Sequence, residues 1–178
     1  MDEQKILLIV DSNRNADLAK EMRKAIRDVA LANQHPVTEI ELQRDHVPPC
    51  SGCLRCLTAH PGSCVYNECF IGLTREASEC PVIVFLTPAL FGTFSSTIKN
   101  VIDRGGLIIK NHRSCRQIIV GYDEEASDEE RSTFIDIIAK HRGDADAVHP
   151  GVGERFEVYF ARRRQDCREI ANSLKDIV

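Results

Sequence analysis

The chain has 178 residues, 43% of them hydrophobic and 28% charged, with a net charge of −4. That length suits one domain able to bury its own core. The mild acidic excess gives no reason to expect nucleic acid or a membrane surface as a partner, and apolar runs such as ILLIV at 6–10 are far too short to span a bilayer.

KILLIV (5–10) is apolar without alternation, which predicts a parallel strand buried on both faces. From Ala16 to about Asn33, Leu18, Ala19, Met22, Ala25, Ile26 and Val29 recur at helical spacing. VTEIEL (37–42) alternates weakly, as an outer strand does, and PVIVFLT (81–87) predicts a second central strand. SSTIKNVIDR (95–104) places Ile98, Val101 and Ile102 on one side of a helix. RQIIVGY (116–122) is a third buried strand, and Ser127 with Glu130 forms a capping box that starts a helix through about His141. RFEVYFA (155–161) alternates as an edge strand, and DCREIANSLKDIV closes the chain as a helix.

Strands alternating with helices imply right-handed crossovers and an open parallel sheet covered on both faces. Five strands suit the flavodoxin-like order 2-1-3-4-5 in a single domain over 1–178, with a cysteine-rich loop at about 47–70 after the second strand. Ligands of such sheets sit beyond the carboxyl ends of the strands, here at loops 11–16, 88–94 and 121–127. In the first, exposed backbone N–H groups with Ser12, Asn13 and Asn15 can bind a phosphate at a helix start, with Arg14 adding charge, or Ser12 to Asn15 simply cap the helix. Asp11 and Asp17 oppose an anion there, and no Walker or G-x-G-x-x-G motif is present. In the second, Pro88 and Gly92 shape a turn, and backbone amides from Leu90 to Thr93 can meet a flat heterocycle between Phe91 and Phe94. A turn over two core phenylalanines is the plainer reading of the same residues.

Met1 is followed by DEQK, which has neither the basic start nor the apolar core of a secretory leader, so a cytoplasmic chain is expected. In that reducing compartment the eight cysteines are expected as buried small residues, reactive thiols or metal ligands. Four of them fall within PPCSGCLRCLTAHPGSC (48–64), a C-x2-C-x2-C-x7-C spacing. Two-residue gaps let one loop present three thiolates to three corners of an iron–sulfur cube, and His60-Pro61-Gly62 can turn the chain back toward Cys64. Zinc is the competing occupant, although zinc ribbons use two separated C-x2-C pairs. Cys69 is an alternative fourth ligand, while Cys80, Cys115 and Cys167 read as buried small residues. The six histidines show no metal spacing.

The run T-P-x-x-F-G-x-x-S-x-x-x-K-x-x-x-D-R at 87–104 resembles the NAD(P)H-dependent FMN reductase branch of the flavodoxin-like superfamily. The cysteine spacing resembles, more narrowly, the iron–sulfur flavoproteins of that branch, and together the likeness covers roughly residues 5 to 122. It implies FMN, with Ser12, Asn13, Arg14, Asn15 and Ala16 at its phosphate. Pro88, Ala89, Leu90, Phe91, Gly92 and Thr93 would lie along its ring, with Tyr122 in the third loop. It also implies a [4Fe–4S] cluster on Cys50, Cys53, Cys56 and Cys64. The function so implied is electron transfer between cluster and FMN, with ferredoxin or a small molecule as redox partner and a homo-oligomer as the assembly. The alternatives are an NAD(P)H-dependent FMN or quinone reductase without a cluster, and a flavin-free metal-binding member of the fold. In electron transfer between cluster and FMN no side chain need act as acid or base.

The chain departs from the family at two places. The first loop lacks a Gly-Ser start, and the third, GYDEEASDEER, is acidic and poor in glycine. Asp128, Glu129 and Glu130 are also what the first turn of a helix favours. Lys99 and Arg104 are carried by resemblance alone, and ARRRQD reads as a solvated helix start.

Overall fold

A computed structural model describes residues 5–14, 16–56, 58–60, 64, 73, 76–77, 79–104, 115–148 and 156–176, with side chains described except at 141–148 and 176. In chain order the elements are β1 (Ile6–Asp11), α1 (Asp17–Ala32), β2 (Val37–Leu42), β3 (Val82–Leu90), β4 (Thr93–Phe94), α2 (Ser96–Asp103), β5 (Arg116–Tyr122), α3 (Asp128–Val148), β6 (Phe156–Ala161) and α4 (Arg164–Ser173), followed by a 3-10 turn at Leu174–Asp176. The five long strands are parallel in the order β2-β1-β3-β5-β6, the expected 2-1-3-4-5 arrangement. A sixth, two-residue strand, β4, pairs antiparallel with the end of β3.

Why the central strands carry no polar alternation is visible in their packing. Leu7, Ile9, Ile83, Phe85 and Ile119 face one side with Ile98 and Val101 of α2 and Phe134 and Ile138 of α3. Ile6, Leu8, Val10, Val84, Leu86 and Val120 face the other with Leu18, Met22 and Ile26 of α1 and Cys167 and Ile170 of α4. Both faces are dry, so both registers of side chain must be apolar, and each such Leu, Ile or Val contributes about 1.5–3 kcal/mol. On β2, Glu39 and Glu41 are paired with Arg23 of α1, and Glu39 also with Arg27, which explains its weak alternation.

Three boundaries differ from expectation. β3 runs on to Leu90, through Pro88. Its pairing with β1 ends at Val10↔Leu86, so a residue without an N–H falls past the last β1 partner. The α3 helix continues to Val148 rather than stopping near His141; Gly143 is its single weak position, and one glycine costs only about 1 kcal/mol. α4 begins at Arg164 because the Asp166 carboxylate accepts from the Arg162 and Arg163 amides (2.7 and 3.0 Å), closing its first turn. The Ser127–Glu130 box forms as expected, with the Glu130 amide donating to Ser127 Oγ (3.1 Å) and the Ser127 amide to Glu130 Oε2 (2.8 Å). No helix among the described residues is long and apolar enough to cross a membrane.

Candidate functional site

At the carboxyl edge of the sheet, β3 and β4 make a hairpin closed by Phe91 and Gly92 between the paired residues Leu90 and Thr93. Both turn residues have positive φ, 51° and 72°, as a two-residue hairpin of this hand demands. A Cβ on Gly92 would lie 2.7 Å from the Thr133 methyl, so α3 sits hard against the turn. Phe91 is fully exposed (103%) although it occupies left-handed backbone, an uncommon combination for a bulky residue. Thr87, wholly buried, holds the hairpin's base: its Oγ1 accepts from the Ser95 amide (2.9 Å) and donates to Pro88 O (3.0 Å). Ser95 then caps α2 by accepting from the Ile98 amide (3.3 Å). Pro88 is buried within the strand, Ala89 is half-buried, and Leu90 is exposed.

The first loop bonds back onto the sheet, although Asn13 and Arg14 are themselves exposed. Asp11 is 2% exposed, and its Oδ1 accepts both the Asn13 amide N–H (2.8 Å) and the Asn13 side-chain amide (2.6 Å). The same Asn13 side chain donates to Thr97 Oγ1 (3.0 Å) and accepts from the Arg44 amide (2.9 Å). Both the amide and the hydroxyl of Ser12 donate to Leu42 O (2.9 and 3.0 Å). Arg14 is half exposed and faces Asp123 at 3.7 Å. Ala16 sits at the helix N-cap and offers no side-chain bond to the first turn of α1. Asn15 lies outside the described residues.

In the third loop, Tyr122 is 1% exposed, its hydroxyl donating to Arg14 O at 3.5 Å. Burial, then the nearby Asp11 charge, pushes its phenol well above the ordinary range. What Tyr122 can offer a ligand is therefore backbone. Asp128, Glu129 and Glu130 do occupy the first turn of α3, and Asp128 pairs with Arg162 at 2.8 Å.

The cysteine loop leaves β2 and turns at Gly52 and Leu54, both with positive φ. Cys50 and Cys53 are exposed, Cys56 and Cys64 half-buried, and all four are free. The Cys53 thiol is lowered by the Arg55 backbone N–H and the Ser51 side chain. That of Cys56 is raised by burial and then by Cys50, with smaller effects from Cys64 and Cys53. Among the described residues no three His, Cys, Asp or Glu side chains are placed to hold a metal ion together. Pro61, Gly62 and Cys69 lie outside the described residues.

Arg104, carried in the sequence by resemblance alone, is buried against the cysteine loop. Arg104 is 6% exposed and donates from Nε to Pro48 O (2.6 Å), from Nη2 to Pro49 O (3.0 Å) and from Nη1 to Cys64 Sγ (3.0 Å). Asn100, one turn earlier, donates to Val47 O (2.8 Å). The end of α2 thus ties Val47, Pro48 and Pro49 to Cys64 across the cysteine loop. The signal available was a donor pair at i, i+4 on a helix already set beside that loop by the crossover. Lys99, by contrast, is solvated and pairs with Asp103. Cys80, Cys115 and Cys167 are buried, as expected.

No curated protein matches the chain at a significant level. Among solved structures, an NAD(P)H:quinone oxidoreductase from Methanothermobacter marburgensis superposes with a TM-score of 0.69 at 12% identity, covering 99% of this chain and 98% of that one. The Trp repressor binding protein of Bacillus subtilis gives 0.60 at 14% identity (97% and 99% covered), and a flavodoxin, WrbA-like protein from Agrobacterium tumefaciens gives 0.58 at 12% (98% and 97%). At such identities these likenesses establish the flavodoxin-like fold. The family model for NADPH-dependent FMN reductase matches residues 4–122, which is more than half of the 178 and spans the first loop, the cysteine loop and the hairpin. The chain belongs to the NADPH-dependent FMN reductase family.

Proposed function

We propose that the chain is a flavin-dependent oxidoreductase that takes reducing equivalents from NADPH and delivers them to a small acceptor of the quinone or flavin class. The observation that carries this is the hairpin tip: an exposed Phe91, held in left-handed backbone at the carboxyl edge of a family member's sheet. The ring end of FMN suits what is there, since Leu90 and Phe91 give apolar surface and the Phe91–Gly92 turn gives peptide groups beside it. At the phosphate end the first-turn N–H groups of α1 have no side-chain cap, and Arg14 is half exposed beside them. Asp11 and Asp17 oppose an anion there, and Asp123 faces Arg14. Ser12, Asn13, Arg14, Asn15 and Ala16 would hold the phosphate, and Leu90, Phe91, Gly92 and Thr93 the ring.

A bound flavin supplies the ability to accept a hydride and to pass electrons on singly or in pairs. The chain's own contribution is position: Thr87 and Ser95 fix the hairpin, and Gly92 packed on Thr133 fixes its tip. Similarity to a quinone oxidoreductase supports a small-molecule acceptor. The test is anaerobic mixing of protein, added flavin and NADPH. Loss of the flavin's visible absorbance well above the protein-free rate is expected, and the protein-free rate would sink the reading.

A second reading, an iron–sulfur flavoprotein exchanging electrons with ferredoxin or a small acceptor, is favoured by the cysteine loop. Four free thiols share that loop, Cys56 feels the other three, and Arg104 sets a buried positive charge on Cys64. Cys50, Cys53, Cys56 and Cys64 would be its ligands, and zinc on the same thiols would instead make a structural clasp. Iron and sulfide analysis of anaerobically purified protein separates these outcomes. Cys53→Ser should abolish the iron and leave flavin binding intact, and iron unchanged in that variant would remove the ligand assignment. A homo-oligomer is proposed from the family likeness, and sedimentation showing monomer alone would count against it.

A further inference from the structure

A buried guanidinium closes the far end of α2. Arg104 is the C-cap of that helix and is 6% exposed. The helix dipole favours a cation there, and the bonds to Pro48 O (2.6 Å) and Pro49 O (3.0 Å) pin the start of the cysteine loop. A structural tie accounts for that much. It does not account for the third bond, in which Nη1 donates to Cys64 Sγ at 3.0 Å. A neutral thiol is a weak acceptor, whereas a metal-bound thiolate is an anion that suits a charged N–H donor. Cys56 and Cys64 also pack against the core layer that includes Val47, Ile98 and Val101, where charges are weakly screened. No three of the loop's thiols are placed together for a metal among the described residues. Cys64 is the thiol that a buried charge already holds, while Asn100 ties Val47 O (2.8 Å) at the start of the loop.

We infer that Arg104 is a positioning residue that tunes an iron–sulfur centre through Cys64, raising the potential at which a cluster on Cys50, Cys53, Cys56 and Cys64 accepts an electron. The inference rests on the iron–sulfur reading above and adds what this chain does to the energetics of such a centre. Four thiolates leave a net negative charge around a [4Fe–4S] core, and one added electron makes it larger by one unit. The N–H···S bond and the buried positive charge both favour that more negative state, and these are among the factors that set cluster potentials. At its other end α2 is capped by Ser95, whose amide donates to Thr87 at the base of the hairpin. Eight residues of helix, a rise of about 12 Å, therefore join the flavin hairpin to the cysteine loop.

The test is a potential measurement on protein reconstituted anaerobically with iron and sulfide, titrated with dithionite and followed by the electron paramagnetic resonance of the reduced cluster. Arg104→Gln keeps an N–H for the sulfur and removes the charge. Its equilibrium constant for reduction should fall about tenfold, a drop of about 59 mV for one electron. Arg104→Lys restores the charge and should recover at least half of that drop. Asn100→Ala loosens the same loop without touching the sulfur, and its constant should stay within threefold of wild type. An Arg104→Gln constant within threefold of wild type would overturn the inference and leave the cluster reading standing. So would an Asn100→Ala shift as large as that of Arg104→Gln. If Arg104→Gln takes up no cluster, Arg104→Lys decides. A cluster there at a potential near wild type supports the inference, and no cluster in either variant makes Arg104 a structural tie and overturns it. Wild-type protein that takes up no cluster would overturn both readings.

Discussion

The β3–β4 hairpin and the β1–α1 loop stand on neighbouring strands at the same edge of the sheet, yet they spend their polar groups in opposite ways. The hairpin is braced from below by Thr87 and from behind by Thr133, and it leaves its tip bare, with Phe91 in solvent. The β1–α1 loop places its amides and side chains on Asp11 and Leu42. The first arrangement holds an apolar surface exposed on left-handed backbone, and a flat ligand can cover that surface. The second commits Ser12 and Asn13 and keeps the uncapped first-turn N–H groups of α1 beside Arg14.

Substitutions can break this contrast, and the largest effect is expected at Gly92. Gly92→Ala puts a Cβ into Thr133 at a φ of +72°, costing about 2–4 kcal/mol from overpacking and left-handed strain together. Chemical denaturation should show it as a lower midpoint. Thr87→Val keeps the shape but leaves the buried Ser95 amide without its acceptor, for about 1–3 kcal/mol. Ser95→Ala removes the α2 cap, for about 1 kcal/mol. Phe91→Ser sharpens the comparison instead: the side chain touches solvent, so stability should move by less than about 0.5 kcal/mol, while flavin affinity falls severalfold in a flavin fluorescence-quenching titration. A Phe91→Ser protein that loses stability but binds flavin normally would make the tip a structural element.

How much of this could be read from the chain differs between elements for physical reasons. The unbroken runs ILLIV and VIVFLT announce strands buried on both faces, and the Ser127–Glu130 box announces α3, because each signal is local. The hairpin is legible in the sequence only as a turn at Pro88 and Gly92, since Pro88 argues against a strand and Phe-Gly is a weaker hairpin signal than Asn-Gly. Only the end of β1 pairing at Leu86 makes the proline harmless. Arg104 was hidden for another reason. Its partners, Pro48, Pro49 and Cys64, are 40 to 56 residues away, and nothing in IDR distinguishes a buried guanidinium from a solvated one. The closure of the first loop depends in the same way on Thr97, 84 residues from Asn13.

The chain contains no tryptophan, which allows the central claim to be tested with a reporter. Phe91→Trp places one indole at the hairpin tip, and Leu31→Trp places one at an exposed position (79%) near the far end of α1. Flavin accepts excitation from indole, so quenching grows steeply as the two approach. Titration with flavin should quench the residue-91 indole almost completely and the residue-31 indole much less, with the same dissociation constant. Equal quenching of both, or stronger quenching at residue 31, would place the flavin away from the hairpin and contradict the assignment of the site.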